Sequence, residues 1–223
     1  MSVTILGQQY DINNTIELDL SNQNLTEIPP EINKLVNLQA LDLSNNKINE
    51  ICPQINQLIN LQYLNLHNNQ ITEICSEIGQ LGNLQRLSLS YNQLTEICPQ
   101  ISQLINLQYL YLYHNQINEI CPEIGQLVNL QMLQLSNNQI TQICSQIGQL
   151  GNLQELYLSN NHITEICPEI NQLVNLQKLN LSKNHITDPD EFSVVNMMMI
   201  KHTKFDDQTT SPVRKLYLPS III

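Results

Sequence analysis

The chain has 223 residues, 42% of them hydrophobic, with no Trp, two Phe and six Gly; this is enough apolar material for one sizeable core or two small ones. Nine basic residues against twenty acidic ones give a net charge of -11, and between Ile48 and Gln177 the one basic side chain is Arg86. Nucleic acid and anionic membrane surfaces demand a basic footprint, so both are excluded as partners.

Taken from the start, Val3–Leu6 and Gln9–Ile12 are predicted to pair as a hairpin around Gly7-Gln8, with Gly at the first central position of a type II′ turn. This hairpin, residues 1–14, would cap whatever follows. The same residues lack the basic start and apolar run of a secretory signal, and no stretch approaches the ~20 apolar residues of a membrane span. A soluble protein in the cytoplasm is expected, or in the host's cytoplasm if the chain is viral.

From Thr15 onward the chain repeats itself. Cys52, Cys75, Cys98, Cys121, Cys144 and Cys167 stand 23 residues apart. The unit "LQALDLSNNKINEICPQINQLIN" begins at Leu38, and further units begin at Leu61, Leu84, Leu107, Leu130 and Leu153. A less regular unit precedes them at Thr15 and a truncated one starts at Leu176, so 15–187 holds seven full turns and one partial turn without an insertion. In "LQYLNL", Leu64 and Leu66 alternate with Tyr63, Asn65 and His67, the period of a strand with one face buried. Copies one unit apart cannot be hairpin neighbours, so these strands are predicted to lie parallel. Ile74, Ile78 and Leu81, spaced four and three, suit helical or 3₁₀ turns on the return leg. A lone unit has no neighbour against which to bury its apolar residues; stacking supplies two. An asparagine ladder, Asn46, Asn69, Asn92, Asn115, Asn138, Asn161 and Asn184, follows each strand, where its amides can satisfy backbone groups stranded at a buried bend. The first unit carries Gln23 there, between Asn22 and Asn24, which predicts a looser bend.

Each unit matches the pattern LxxLxLxxNxL continued as IxxIPxxIxxL, and on these residues the chain resembles leucine-rich-repeat proteins over about 15–188. Its 23-residue units are similar to those of intracellular scaffolds reading LPxEIxxL. The resemblance implies an α/β fold: a curved horseshoe solenoid with a parallel β-sheet on the concave face and short helical or 3₁₀ turns on the convex face. It implies protein interaction rather than catalysis. Exported members carry cysteine-rich flanking caps, and residues 1–14 and 188–223 contain no Cys. The chain departs from the pattern where Cys replaces proline in six units, while the first keeps Pro29. At that place Cys can act as a small hydrophobe, as six free thiols, or can bridge consecutive units such as Cys52 and Cys75. A one-dimensional row converges poorly on a tetrahedral zinc, and no His accompanies it.

Outward strand positions form columns. One runs Glu17, Ala40, Tyr63, Arg86, Tyr109, Met132, Glu155, Lys178; the next runs Asp19, Asp42, Asn65, Ser88, Tyr111, Gln134, Tyr157, Asn180. A third contributes His67, Ser90 and Tyr113, with Tyr91 and His114 just beyond. Six of the eight tyrosines gather on this wall around Arg86. Tyr and Arg are enriched at interface hot spots, whereas tyrosine also simply suits exposed strand positions. The expected partner-binding residues are Tyr63, Arg86, Tyr91, Tyr109, Tyr111, Tyr113, His114, Met132 and Tyr157. A second stripe, Glu27, Glu50, Glu73, Glu96, Glu119 and Glu165, interrupted by Gln142 and closed by Asp188, reads as a solvated edge or a lure for basic partners.

At the C-terminal end, "DPDEF" places Asp188 as an N-cap and Pro189 at the first helical position, predicting a capping helix to about Met199. The tail "SPVRKLYLPSIII" can be an edge strand or a docking peptide. No phosphate-cradling glycine loop, nucleophile elbow or metal-ligand cluster is present, so no catalytic, cofactor or metal site is expected. The expected function is a non-enzymatic scaffold that holds a partner protein on the concave face, as a monomer or weak homo-oligomer; the alternative is a self-assembling structural protein.

Overall fold

The computed structural model describes residues 1–186; the predicted capping helix over 188–199 and the tail 211–223 lie outside them. Strands β1 (Ser2–Ile5) and β2 (Gln8–Asp11) form an antiparallel hairpin. β3 (Glu17–Asp19), β4 (Ala40–Asp42), β5 (Tyr63–Asn65), β6 (Arg86–Ser88), β7 (Tyr109–Tyr111), β8 (Met132–Gln134), β9 (Glu155–Tyr157) and β10 (Lys178–Asn180) form one eight-stranded parallel sheet in chain order. Each strand pairs with the residue 23 later, as in Leu64↔Leu87 and Leu87↔Leu110. The return legs are 3₁₀ segments: Pro30–Lys34, Pro53–Gln57, Ser76–Gln80, Pro99–Gln103, Pro122–Gln126, Ser145–Gln149 and Pro168–Gln172. Sheet and 3₁₀ segments are thus the two walls of a leucine-rich-repeat solenoid. Between them lies one continuous core, in which Leu61, Leu64, Leu66, Ile71, Ile78 and Leu81 of a single unit are all fully buried.

The hairpin differs from expectation. Its central residues are Leu6 and Gly7, at φ 50 and 82, and Ile5 pairs with Gln8. Two positive φ values define a type I′ turn rather than the predicted type II′ turn around Gly7-Gln8. The physical reason is register: this pairing turns both Val3 and Ile5 into the core and leaves Leu6 exposed.

Asparagine carries the inter-unit bonding. In the inner ladder Asn92 Nδ2 donates to Leu66 O and Leu89 O, both at 3.0 Å, while its Oδ1 accepts from Ile71 N at 2.9 Å. The same set recurs at Asn115, Asn138 and Asn161. Just before each ladder residue the chain turns through a left-handed position, and the first unit, which lacks the ladder Asn, uses two of these, Asn22 and Asn24 at φ 59 and 58. A second, exposed ladder had no place in the sequence reading. Asn60, Asn83, Asn106, Asn129, Asn152 and Asn175 each donate from Nδ2 to the carbonyl 24 residues earlier, at 2.7–2.9 Å.

The cysteine column is now placed. Each Cys stands immediately before a 3₁₀ segment, and its carbonyl accepts the first bond of that segment, as in Ile55 N to Cys52 O at 3.0 Å. Its backbone, φ -63 and ψ 139 at Cys52, is close to that of Pro29, φ -57 and ψ 123, so replacing proline leaves the turn geometry nearly unchanged. The Pro that often follows favours this extended conformation. All six thiols are free, half-buried or buried, and Cys167 Sγ reaches Cys144 O at 3.8 Å. Burial pushes the thiols of Cys75, Cys121 and Cys167 up to about 11. Few thiolates therefore exist at neutral pH. Iodoacetamide at pH 8 should label native protein slowly and all six cysteines after denaturation, with mass spectrometry counting the adducts. Because folding raises these thiols above their ordinary 9.0, the stability they contribute is complete below pH 9 and is lost as pH climbs toward 11.

Candidate functional site on the exposed face of the sheet

Three-residue strands with a buried centre leave two outward side chains per unit, and parallel pairing places them in rows. Tyr63, Arg86, Tyr109 and Met132 are consecutive neighbours along one row, and Ser88, Tyr111, Gln134 and Tyr157 along the next. Tyr113 follows β7 by two residues. Tyr91 and His114 occupy the left-handed bends after β6 and β7, at φ 55 and 54, the place held by Asn45, Asn68, Asn137 and Asn160 in other units and by Lys183 in the last.

Most of the predicted residues come together. Tyr91 and His114 stack with ring centroids 4.2 Å apart, and Tyr113 meets Tyr91 edge-on at 5.3 Å. His67 completes the group, edge-on to Tyr91 at 5.1 Å; the columns contained it, but the predicted site did not. The Arg86 guanidinium lies over the Tyr109 ring, 4.8 Å from its centroid, a cation–π contact that holds both groups on the face. Tyr109 Oη also donates to Gln131 Oε1 at 3.1 Å. Tyr63, Arg86, Tyr111 and Tyr113, with Asn65, His67 and Ser88, line a shallow depression of about 270 Å³. Burial keeps the Tyr63 and Tyr113 phenols protonated beyond the ordinary range, and it lowers His67 from its usual 6.5, so Arg86 is the charged side chain lining the depression.

Tyr157 does not join this group. Its hydroxyl donates to Glu155 Oε2 at 2.7 Å, and Glu155 pairs with Lys178 at 2.6 Å across β9 and β10. Burial raises the Glu155 carboxyl, but its bonds to Lys178 and Tyr157 outweigh this and hold it below the ordinary range. Met132 flanks Tyr109 without a ring contact of its own. The acidic stripe Glu27, Glu50, Glu73, Glu96, Glu119 and Glu165 is solvent-exposed, while its predicted end, Asp188, lies outside the described residues.

Comparison with known proteins agrees with this architecture. A family model described as "Leucine rich repeat" matches 14–71 and 59–117, and one described as "Leucine-rich repeat region" matches 98–199. Internalin C2 of Listeria monocytogenes is 30% identical, with a TM-score of 0.72, over 80% of this chain and 76% of that one. The Leptospira interrogans protein LIC12759 is 33% identical, with a TM-score of 0.60, over 83% of this chain and 59% of its own. The functional domain of InlJ from Listeria monocytogenes, which includes a cysteine ladder, is 26% identical, with a TM-score of 0.62, over 78% of this chain and 40% of that one. The chain thus spans less than two thirds of the Leptospira and InlJ chains. No curated protein sequence matches it. The chain belongs to the leucine-rich-repeat family. Among the described residues no helix is long and apolar enough to cross a membrane, and no cluster of three or more His, Cys, Asp or Glu could hold a metal ion.

Proposed function

We propose that this protein is a non-enzymatic scaffold that grips a partner protein on the exposed, concave face of its sheet. One observation carries the reading: Tyr91 and His114 are neighbouring rings at left-handed backbone bends, a conformation that bulky side chains rarely adopt, where four other units keep Asn and the last has Lys183. Strain tolerated without benefit to the core is best explained by what the rings do at the surface. Together with Tyr63, Arg86, Tyr109, Tyr111 and Tyr113 they make a rigid aromatic patch of the composition that dominates interface energetics. The open face offers no enclosure to bring acid and base groups to a reacting atom, which agrees with an interaction module. A cytoplasmic address belongs to the same proposal, since six unpaired thiols suit a reducing compartment.

The test is a double variant, Tyr111→Ala with Tyr113→Ala. Both side chains stand on the outer face and neither fills the core, so the melting temperature should move by only a few degrees. Proteins retained by the parent from its native lysate, identified by mass spectrometry, should be retained about tenfold less well by the variant. Identical retention would discard the site.

A further inference from the structure

The aromatic depression has a neighbour. Glu17, Asp19, Ala40 and Asp42 line a second hollow of about 380 Å³ on β3 and β4, and Tyr63 is the wall the two hollows share. Strands β3 and β4 therefore present acid where the middle strands present rings.

Among the described residues these carboxylates have no cationic partner. Among the described residues the one ion pair is Lys178 with Glu155, at the opposite end of the sheet. Asp19 Oδ1 accepts from Ser21 N at 2.8 Å, which holds its carboxyl below the ordinary range, and Asp42 Oδ2 accepts from Asn65 Nδ2 at 3.0 Å. Arg86, the nearest cation in the outward columns, lies over Tyr109 on the strand away from the hollow. The chain's net charge of -11 adds a long-range field of the same sign.

We infer that the partner bound by this face presents a Lys or Arg to the Glu17–Asp19–Asp42 hollow and, on the same extended segment, an aromatic or large apolar side chain to the rings beyond Tyr63. The inference rests on the proposed function and gives the partner its chemistry. The hollows are centred on β4 and β6, two strand spacings apart, about 10 Å. A segment extended as polyproline II, with three residues per turn and about 3.1 Å rise per residue, carries side chains three positions apart on one face at about that distance, so the basic and apolar groups stand three positions apart. Complementary charge acts mainly on encounter and register, while the tyrosines retain the bound segment.

The experiment uses short fluorescent synthetic peptides that share Tyr and Leu residues and differ only in carrying Lys, Ser or Glu at the position three residues from the Tyr. Anisotropy is read with the full chain at about 0.05 and 0.3 M salt. The Lys peptide should bind about tenfold tighter than the Glu peptide at low salt, with the contrast shrinking several-fold at high salt. The triple variant Glu17→Gln, Asp19→Asn and Asp42→Asn keeps every side-chain size and the oxygen acceptors for Ser21 N and Ser44 N, giving up the exposed-face bond from Asn65 Nδ2; circular dichroism checks that it folds, and it should abolish the preference for Lys. Equal affinities for the three peptides, a Lys preference that survives the triple variant, or no binding of the Lys peptide would each overturn the inference. Failure of the underlying site looks different: peptides bind, but Tyr111→Ala with Tyr113→Ala leaves all three affinities unchanged. If that variant instead weakens three equally bound peptides, the aromatic site stands and the charge preference falls.

Discussion

Replacing Asn115 by Ala is expected to destabilise the protein by about 2–6 kcal/mol, a large loss for a polar side chain. The amide makes three buried bonds at 3.0 Å: from Nδ2 to Leu89 O and Leu112 O, and to Oδ1 from Leu94 N. Alanine leaves the Leu94 N–H buried without a partner, at about 1–3 kcal/mol, while Leu89 O and Leu112 O each lose one of two bonds and keep that from Asn92 or Asn138, at about 0.5–1.5 kcal/mol each. For a domain of this size the melting temperature should fall by about 10 °C. Asn115→Asp, similar in shape, should be worse than its size suggests, because a carboxylate faces the two carbonyls that the amide had bonded. Asn184, which makes the same contacts while only half-buried at the end of the described stack, is the internal control and should lose less. Chemical denaturation of the three variants measures the order. A loss below about 1 kcal/mol for Asn115→Ala would show that the ladder is not what joins one unit to the next.

Putting Asn at both strained bends, Tyr91→Asn with His114→Asn, is expected to abolish most partner binding while leaving stability near that of the parent. Asn45, Asn68, Asn137 and Asn160 already adopt this conformation at φ 55–58, so the change imports a residue that the scaffold accepts. Relief of about 1 kcal/mol at each left-handed bend offsets the loss of ring contacts worth about 0.5–1.5 kcal/mol each. Binding has no such compensation: the stacked pair disappears, and Tyr113 and His67 lose the ring that each of them meets edge-on. At about 2 kcal/mol per hot-spot side chain, affinity should drop by about a hundredfold or more. Calorimetric melting beside binding of the captured partner separates the two effects. A variant that melts much lower would mean the rings serve the fold, and a variant that binds normally would mean they serve neither.

The repeat, its strands and the inner ladder were legible because each depends on side chains that recur at a fixed place. Leu64 and Leu66 against Tyr63 and Asn65 is a period-2 signal, and seven further copies of it leave no freedom in register. The outer ladder went unread although Asn37, Asn60, Asn83, Asn106, Asn129, Asn152 and Asn175 recur without exception. An exposed Asn beside a turn is ordinary, and only stacking reveals that its amide spans to the unit before. The hairpin slipped by one residue because Leu at positive φ is a poor prior, and the burial of Val3 and Ile5 outweighs it. At the site, columns placed Tyr91 and His114 side by side, but their strained backbone could not be seen in letters alone. Tyr157 shared a column with Tyr111, yet its hydroxyl found Glu155 instead, a choice made by rotamers rather than by position.

Uninterrupted units have a further consequence. Every turn joins its neighbours through the same backbone and asparagine bonds, so excising residues 61–83 or duplicating them leaves matching ends at both seams. Such edits shift the acidic hollow against the ring cluster in whole steps of about 4.8 Å, which makes the molecule a ruler whose graduations are genetic.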